Sequence, residues 1–426
     1  MRQRISATMR VSLAVAVLGL WAPWAQGAGG AIVAWGENNS GQCNVPEPNT
    51  GFVAVAAGAE HSLGLKADGT IVAWGWNDHG ECDVPAPNTD YVAVTGGYWH
   101  SRGLKADGSI VAWGWNSYGL CDVPAPNTGF VAVAGGTYHS LGLKADGSIV
   151  AWGAGQPGQS GFPNCGQCNV PQPNTGFVAG AAGAEHSLGL KADGTIVAWG
   201  WNSSGQCNVP APNTGFVAVA AGFYHSLGLK GDGSIVAWGD NFYGQCNLPA
   251  PNTGFVAAAS GFAHSLGLKG DGSIVAWGYN DSGQCNVPWP NAGFVAVAAG
   301  NDHSLGLVTG DCNHNGIPDE SDIAAGTSHD CNGNAIPDEC DIAGGVSLDR
   351  NGDGIPDECQ VGDMNCDGLV DFDDISPFVL ALTSHGAYAE HYPTCLYDNG
   401  DCNRDGYVDF DDINPFVACL VNGGCP

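Results

Sequence analysis

A unit of 39 residues repeats between residues 29 and 310, and one copy of it is cut in two. "LKADGTIVAWG" occurs at 65–75 and again at 190–200, with near-copies at 104–114, 143–153, 229–239 and 268–278. Two fragments complete the set, "GGAIVAWG" at 29–36 and "HSLGLVTG" at 303–310. Trp-Gly recurs seven times from Trp35 to Trp277, and His-Ser seven times from His61 to His303; both series step by 39 except for one step of 47. A fixed period of this size marks a repeat architecture in which each repeat is one supersecondary unit.

Turn chemistry gives the topology of the unit. Three strands are expected, of the types FVAVAAG, HSLGLK and TIVAWG. A Gly-x-x step joins the first pair, and Asp-Gly, a strong hairpin signal between apolar runs, joins the second. "QCNVP" is expected as a short outer fourth strand, and Pro-Asn-Thr-Gly as the link to the next unit. In that frame the chain enters in mid-unit with strands three and four (32–46) and leaves with strands one and two (294–307). The missing hairpin is where a ring closes by joining first and last strands. An open solenoid would instead end in caps, whereas closure protects sheet edges. The expectation is an all-β seven-bladed β-propeller over 28–309.

The pattern "AWGxNxxGQ…VAxxAGxxHSLxL" resembles the regulator of chromosome condensation repeat family in its short bacterial form, similar to the propeller of β-lactamase inhibitory protein II. Cys replaces the family's usual Leu after Gly-Gln. The resemblance implies the propeller and not nucleotide exchange, because propellers host many functions.

Residues 1–27 read as a secretory signal peptide: "MRQRISATMR" holds three Arg and no acid, an apolar run follows, and small residues stand at Ala25 and Gly27. An uncleaved anchor is the alternative, although the run is short for a spanning helix. The expected address is extracellular and bacterial. Residues 28–308 hold 18 acids and 7 bases, and residues 309–426 hold 24 acids and 2 bases, net −11 and −22. Such charge argues against nucleic acid as a partner, and no later segment suits membrane insertion.

From 311 the period becomes 19. Oxygen side chains stand at loop positions 1, 3, 5, 9 and 12: Asp311, Asn313, Asn315, Asp319 and Asp322, then Asp330, Asn332, Asn334, Asp338 and Asp341. A third loop has Asp349, Asn351, Asp353 and Asp357 but ends in Gln360. That spacing wraps oxygen ligands around Ca²⁺. These loops, 310–360, look like thrombospondin type 3 calcium repeats; an acidic disordered linker is the alternative. Two fuller loops follow, with Asp363, Asn365, Asp367, Asp371 and Asp374, and with Asp401, Asn403, Asp405, Asp409 and Asp412; Leu369 and Tyr407 would offer backbone carbonyls. Each precedes a short helix-like run. This pair, 361–426, resembles a dockerin, an EF-hand-like α module whose usual partner is a cohesin. The loop places that hold small hydroxyl residues in cohesin-binding dockerins are here Phe372-Asp373 and Phe410-Asp411.

Seven Cys fill one equivalent place per unit and are too far apart on the outside of a ring to pair; free, buried thiols are expected. Cys165 and Cys168 form an extra "CGQC", read as a loop disulfide or a redox pair. In the tail, Cys312–Cys331 and Cys340–Cys359 are the expected bridges, on spacing alone.

A catalytic residue appears once, so the sevenfold His-Ser pair is read as framework, an imidazole bonded to backbone, and no enzyme is expected. Function should lie where repeats differ. Just beyond strands one and three, which end on the same face, stand Trp76, Trp99, Trp115, Tyr138, Trp201, Tyr224 and Tyr279. Aromatic residues there are typical anchors for protein or glycan ligands, or else pack between loops. Two functions stay open: a secreted, calcium-binding, non-catalytic binding protein, or a component of extracellular polysaccharide degradation.

Overall fold

The computed structural model describes residues 30–289 and 291–308 and, beyond them, 319, 322–323, 326–331, 336–344, 347, 349, 354–356, 359, 361–365, 370–393, 395, 397–403 and 407–422. The chain divides into two compact units, Met1–Thr309 and Gly310–Pro426. The expected signal peptide at 1–27 lies outside the described residues. Among the described residues no helix is long and apolar enough to cross a membrane.

Among its described residues the first unit contains 21 strands in seven three-stranded antiparallel sheets. One sheet shows the logic of all. Strands β2 (Phe52–Ala57), β3 (His61–Lys66) and β4 (Ile71–Gly75) follow in chain order. Asp68 forces the second hairpin: its Oδ1 accepts from Thr70 N at 2.9 Å and Thr70 Oγ1 at 2.7 Å, while Gly69 takes φ +79°. Gly64 interrupts the middle strand because the Phe52 ring lies across it; a Cβ there would stand 2.4 Å from the ring. Lys66 Nζ covers the same ring at 4.5 Å from its centroid and donates to the Pro48 and Thr50 carbonyls. A buried ring, a glycine to seat it and a cation to cap it recur around the unit.

The split copy assembles as the sequence requires. Strand β1 (Ala31–Gly36) pairs antiparallel with β21 (His303–Val308), which also pairs with β20 (Phe294–Ala299). Successive first strands pack against one another, and β2 packs against β20. The inner ends meet so closely that only glycine fits. A Cβ on Gly97 would stand 2.8 Å from Gly136 O, and so on around to Gly300, where it would stand 2.6 Å from Gly58 O. The cycle of contacts is therefore closed.

Among the described residues the expected fourth strand is absent: each sheet has three strands, and "QCNVP" runs from a turn into an irregular stretch. Side chains take over its bonding. Asn49, in the Pro-Asn-Thr-Gly link, accepts from Ile32 N at 2.8 Å and donates to Ile32 O at 2.9 Å. The outer edge of the third strand is thus satisfied by one amide group instead of a backbone ladder. The same bond is made by Asn88, Asn127, Asn174, Asn213, Asn252 and Asn291. Asn38 fixes the turn itself by accepting from Cys43 N at 2.8 Å.

The second unit has helices α1 (Asp338–Gly344), α2 (Ile375–Thr383), α3 (His385–His391) and α4 (Ile413–Asn422). Its core is small: Met364, Phe378, Ala381, Tyr388 and Phe416, with the Phe378 and Phe416 rings stacked at 3.9 Å. Each of the two fuller Asp loops runs through a 3-10 turn into a helix, and Asp371–Asp374 and Asp409–Asp412 form matching capping boxes at the turn.

Candidate functional site

The residue beyond the third strand donates its N–H to the residue beyond the first in every sheet. Trp76 N bonds Glu60 O, Trp115 N bonds Trp99 O and Trp201 N bonds Glu185 O, each at 2.8 Å, and Glu37 N bonds Asp302 O at the closure. Both sets therefore lie at one end of the sheets. At that end a cavity opens among the inner strands, lined by Gly58, Gly97, Gly136, Gly183, Gly222, Gly261 and Gly300, with Tyr98, Thr137, Phe223, Phe262 and Asn301 at its mouth.

Aromatic rings run continuously from this mouth outward. Tyr98 touches Trp99 edge-on at 4.6 Å, Trp99 touches Trp115 at 5.0 Å, and Trp115 leads through Tyr118 to Tyr138 and Phe162. Across the mouth, Tyr98 meets Phe223 at 6.2 Å, which contacts both Tyr224 and Phe262 at 4.6 Å. The structure thus brings together Trp99, Trp115, Tyr138 and Tyr224. Tyr279 belongs to a second patch, with Tyr243 and Phe242. Trp76 and Trp201 join neither patch; they are 37% and 42% exposed. Sequence reasoning missed Tyr118, Tyr243 and His79. They occupy the variable pair of the Asn-x-x-Gly turn, where their departure from the Ser and Asp of other repeats is the signal that could have found them.

Carboxylates flank the rings. Burial, then Glu37 and Glu60, raise the Asp302 pKa, although Gln284 Nε2 donates to it at 3.0 Å. Ser40 Oγ donates to Glu60 Oε2 at 2.9 Å. Glu185 is 2% exposed, and burial pushes its carboxyl up to about 7.

The His-Ser pairs lie inside, and their partner differs from the expected backbone. His61 Nε2 bonds Ser101 Oγ of the next sheet at 2.9 Å, and the belt runs on to His303, which bonds Ser62 at 3.0 Å. Each serine donates to a carbonyl that the Trp indole also reaches; Ser62 Oγ and Trp74 Nε1 both donate to Gln42 O. With its proton so used, the hydroxyl accepts from Nε2–H, which makes the imidazoles neutral donors. Burial lowers their pKa values to about 3 or 4 at His61, His139, His186, His225, His264 and His303. One joint is broken: both His100 ring nitrogens lack partners, and so do all three guanidinium nitrogens of Arg102, a fully buried residue where the other repeats carry Leu.

The seven repeat cysteines are free, as expected, but six are half-buried instead of buried. Their thiols donate to carbonyls, as Cys43 Sγ does to Glu37 O at 3.2 Å. Cys165 and Cys168 are free thiols and form no loop disulfide. In the tail Cys331 bonds Cys359, with Cα atoms 5.7 Å apart, in place of the expected Cys312–Cys331 and Cys340–Cys359. Position 2 of one loop thus pairs with position 11 of the next, a direction that counting within loops overlooked. Cys340 is disulfide-bonded as well.

Of the expected metal ligands, Asp311, Asn313, Asn315, Asn332, Asn334, Asn351, Asp353, Asp357, Asp367, Leu369 and Asp405 lie outside the described residues, as does Cys312. The position-12 carboxylates Asp322, Asp341, Asp374 and Asp412 are all 0% exposed. Asp374 Oδ1 accepts from Met364 N and Asn365 N, and its Oδ2 from Asp371 N; Asp412 does the same for Asn403 N and Asp409 N. Asp338 accepts from Cys331 N, and Asp349 from Gly354 N. Asp319 and Asp363 are buried, Asp330, Asn365, Asp371 and Asp401 half-buried, and Asn403, Tyr407 and Asp409 exposed.

Six segments match the family model described as Regulator of chromosome condensation (RCC1) repeat: 52–81, 91–120, 130–159, 177–206, 216–245 and 255–284. No curated protein matches the chain. Among solved structures, Prp20p from Saccharomyces cerevisiae, studied for its binding to Gsp1p and histones, is 19% identical with TM-score 0.55, over 66% of this chain and 91% of that one. Yeast RCC1 (Prp20) bound to Kap60 is 19% identical with TM-score 0.56, over 73% and 96%. Human WBSCR16 is 18% identical with TM-score 0.52, over 66% and 98%. At these identities the likeness is one of fold: repeated blade-like three-stranded sheets of an RCC1-type β-propeller.

Proposed function

We propose that this chain is a secreted, non-catalytic binding protein whose seven-bladed propeller captures a ligand at the mouth of its central channel. The observation that carries the reading is the unbroken run of rings from Phe262 through Tyr98 and Trp99 to Phe162. Soluble proteins rarely leave contiguous aromatic surface at a cavity mouth without a use for it. Protein binding by Prp20p, a propeller of similar fold, is in keeping with a protein ligand here.

For the tail we propose calcium-stabilised modules of the thrombospondin type 3 and dockerin kinds, the second EF-hand-like and serving to attach the protein, with a cohesin-like partner as one option. The donor set is all oxygen, which suits Ca²⁺. Four buried position-12 carboxylates support it, because a buried carboxylate is stable only when bonded or paired. When bound, Ca²⁺ would neutralise the loop carboxylates. The chain's own part is already laid out: Asp374 and Asp412 hold the loop N–H groups in place.

Replacement of Trp99, Trp115 and Tyr138 by Ala tests the ligand face. Each should preserve the fold and cost about 2 kcal/mol of binding, roughly thirtyfold. Binding partners come from glycan arrays and from culture medium, with affinity then measured on the purified pair. Unfolding of these variants, or full binding by them, would refute the face.

A further inference from the structure

We infer that the aromatic face beside the channel mouth receives a basic side chain of a protein partner, with Glu185 as its counter-charge; the inference rests on the ligand face proposed above. Glu185 stands just beyond the first strand of its sheet, Phe177–Ala182. It is 2% exposed, and neither carboxylate oxygen has a hydrogen-bond partner. Its counterparts in other repeats are provided for: Glu60 accepts from Ser40 Oγ, and Asp302 accepts from Gln284 Nε2. Cys165 occupies the place of Ser40. The two make the same backbone bond, Ser40 N to Gln42 Oε1 and Cys165 N to Gln167 Oε1. The 47-residue repeat therefore removes the hydroxyl that would have answered the carboxylate and leaves a thiol, a poor donor.

Tyrosines take the same position in the sheets on either side, Tyr138 before and Tyr224 after. Glu185 is close enough to both phenols to raise their pKa values, after burial itself. Tyr98 and Phe223 bridge the mouth beside them. An unanswered carboxylate between aromatic rings is complementary to an organic cation, which gains from the charge and from the ring faces together. Burial also holds the Glu185 carboxyl up at about 7, and a cation seated beside it would favour the ionised form. The ring surface reaches from His79 to Phe162 and across to Phe262, far beyond a small amine. With the net −11 of residues 28–308, it suits a protein that presents arginine or lysine.

The test titrates the full chain, with calcium present and at physiological ionic strength, against an alanine pentapeptide carrying one central arginine, followed by NMR line broadening. Wild type should bind it, and Glu185→Gln should bind it roughly tenfold or more weakly. Glu47→Gln, an equal charge change on an exposed linker, should leave binding unchanged. Equal affinity in Glu185→Gln and wild type would overturn the counter-charge; if Trp115→Ala still weakened binding, the ligand face would stand without it. No loss in either variant would overturn both. A glucosamine dimer that bound in a Glu185-dependent way while the peptide did not would overturn the protein partner in favour of an amino sugar. Thermal melts of Glu185→Gln guard the reading, since removing a buried unanswered charge should not lower stability.

Discussion

The two units solve the problem of charge in opposite ways. Residues 28–308 carry little charge and bury what polarity they have in bonds repeated from sheet to sheet: His to Ser six times, and Ser and Trp to one carbonyl and Asn to Ile seven times. Residues 309–426 carry net −22, and among their described residues the apolar core is one small cluster. A repeat spreads its stability, so one imperfect joint, such as that at Arg102, is tolerated. The tail has no such reserve. Its carboxylates must be answered by backbone N–H groups and, on our proposal, by calcium.

Acid should separate the two units most sharply. Each buried imidazole is neutral in the fold, whereas in the unfolded chain it titrates near 6.5. Below that pH the unfolded state takes up protons that the fold refuses. Stability is therefore intact above pH 6.5 and is lost as pH falls towards the folded values of about 3 to 4. At pH 5.5 seven such rings should together remove roughly 10 kcal/mol. Melting followed by tryptophan fluorescence from pH 8 to pH 4 would reveal it, and a flat profile would mean that the belt is protonated. The tail should respond in the opposite sense, since protons relieve its repulsion.

Calcium should act on the tail alone. If each of the two fuller loops binds with a dissociation constant of roughly 10⁻⁴ M, a hundredfold excess should stabilise it by about 2.7 kcal/mol per loop. A chelator should open the tail to protease and leave 30–308 uncut. Identical digests with and without chelator would refute the calcium reading.

The broken joint offers a smaller gain. Arg102→Leu restores the residue that the other repeats carry at this place, with Gly135 kept because a Cβ there would stand 2.7 Å from Gly96 O. Removing a buried charge that has no partner should stabilise the fold by roughly 1–4 kcal/mol. Lower stability in a denaturant titration would show that Arg102 is answered by something else.

Covalent mapping tests the least energetic difference. Non-reducing peptide maps should give Cys331–Cys359 and, by the same 28-residue step, Cys312–Cys340, while the propeller yields free thiols only. A Cys165–Cys168 bridge would contradict the structure.

By itself the sequence determined the repeat, the strand order within it and the way its two torn pieces rejoin, because hairpin turns and alternation are local signals. It also determined that the variable aromatic positions share one end, since strands one and three must run parallel. Only the tertiary structure decided which of them meet. Trp99, Trp115, Tyr138 and Tyr224 converge from three sheets, while Trp76 and Trp201 stay apart, and no spacing along the chain encodes contacts between side chains of different blades. The absent fourth strand had the same cause: an Asn side chain satisfied an edge that sequence patterning assigns to backbone. So did the disulfide, because which loop faces which depends on how consecutive loops stack. The imidazole belt and the unanswered Glu185 were likewise out of reach, since burial and the presence of a partner belong to the assembled ring and to no single repeat.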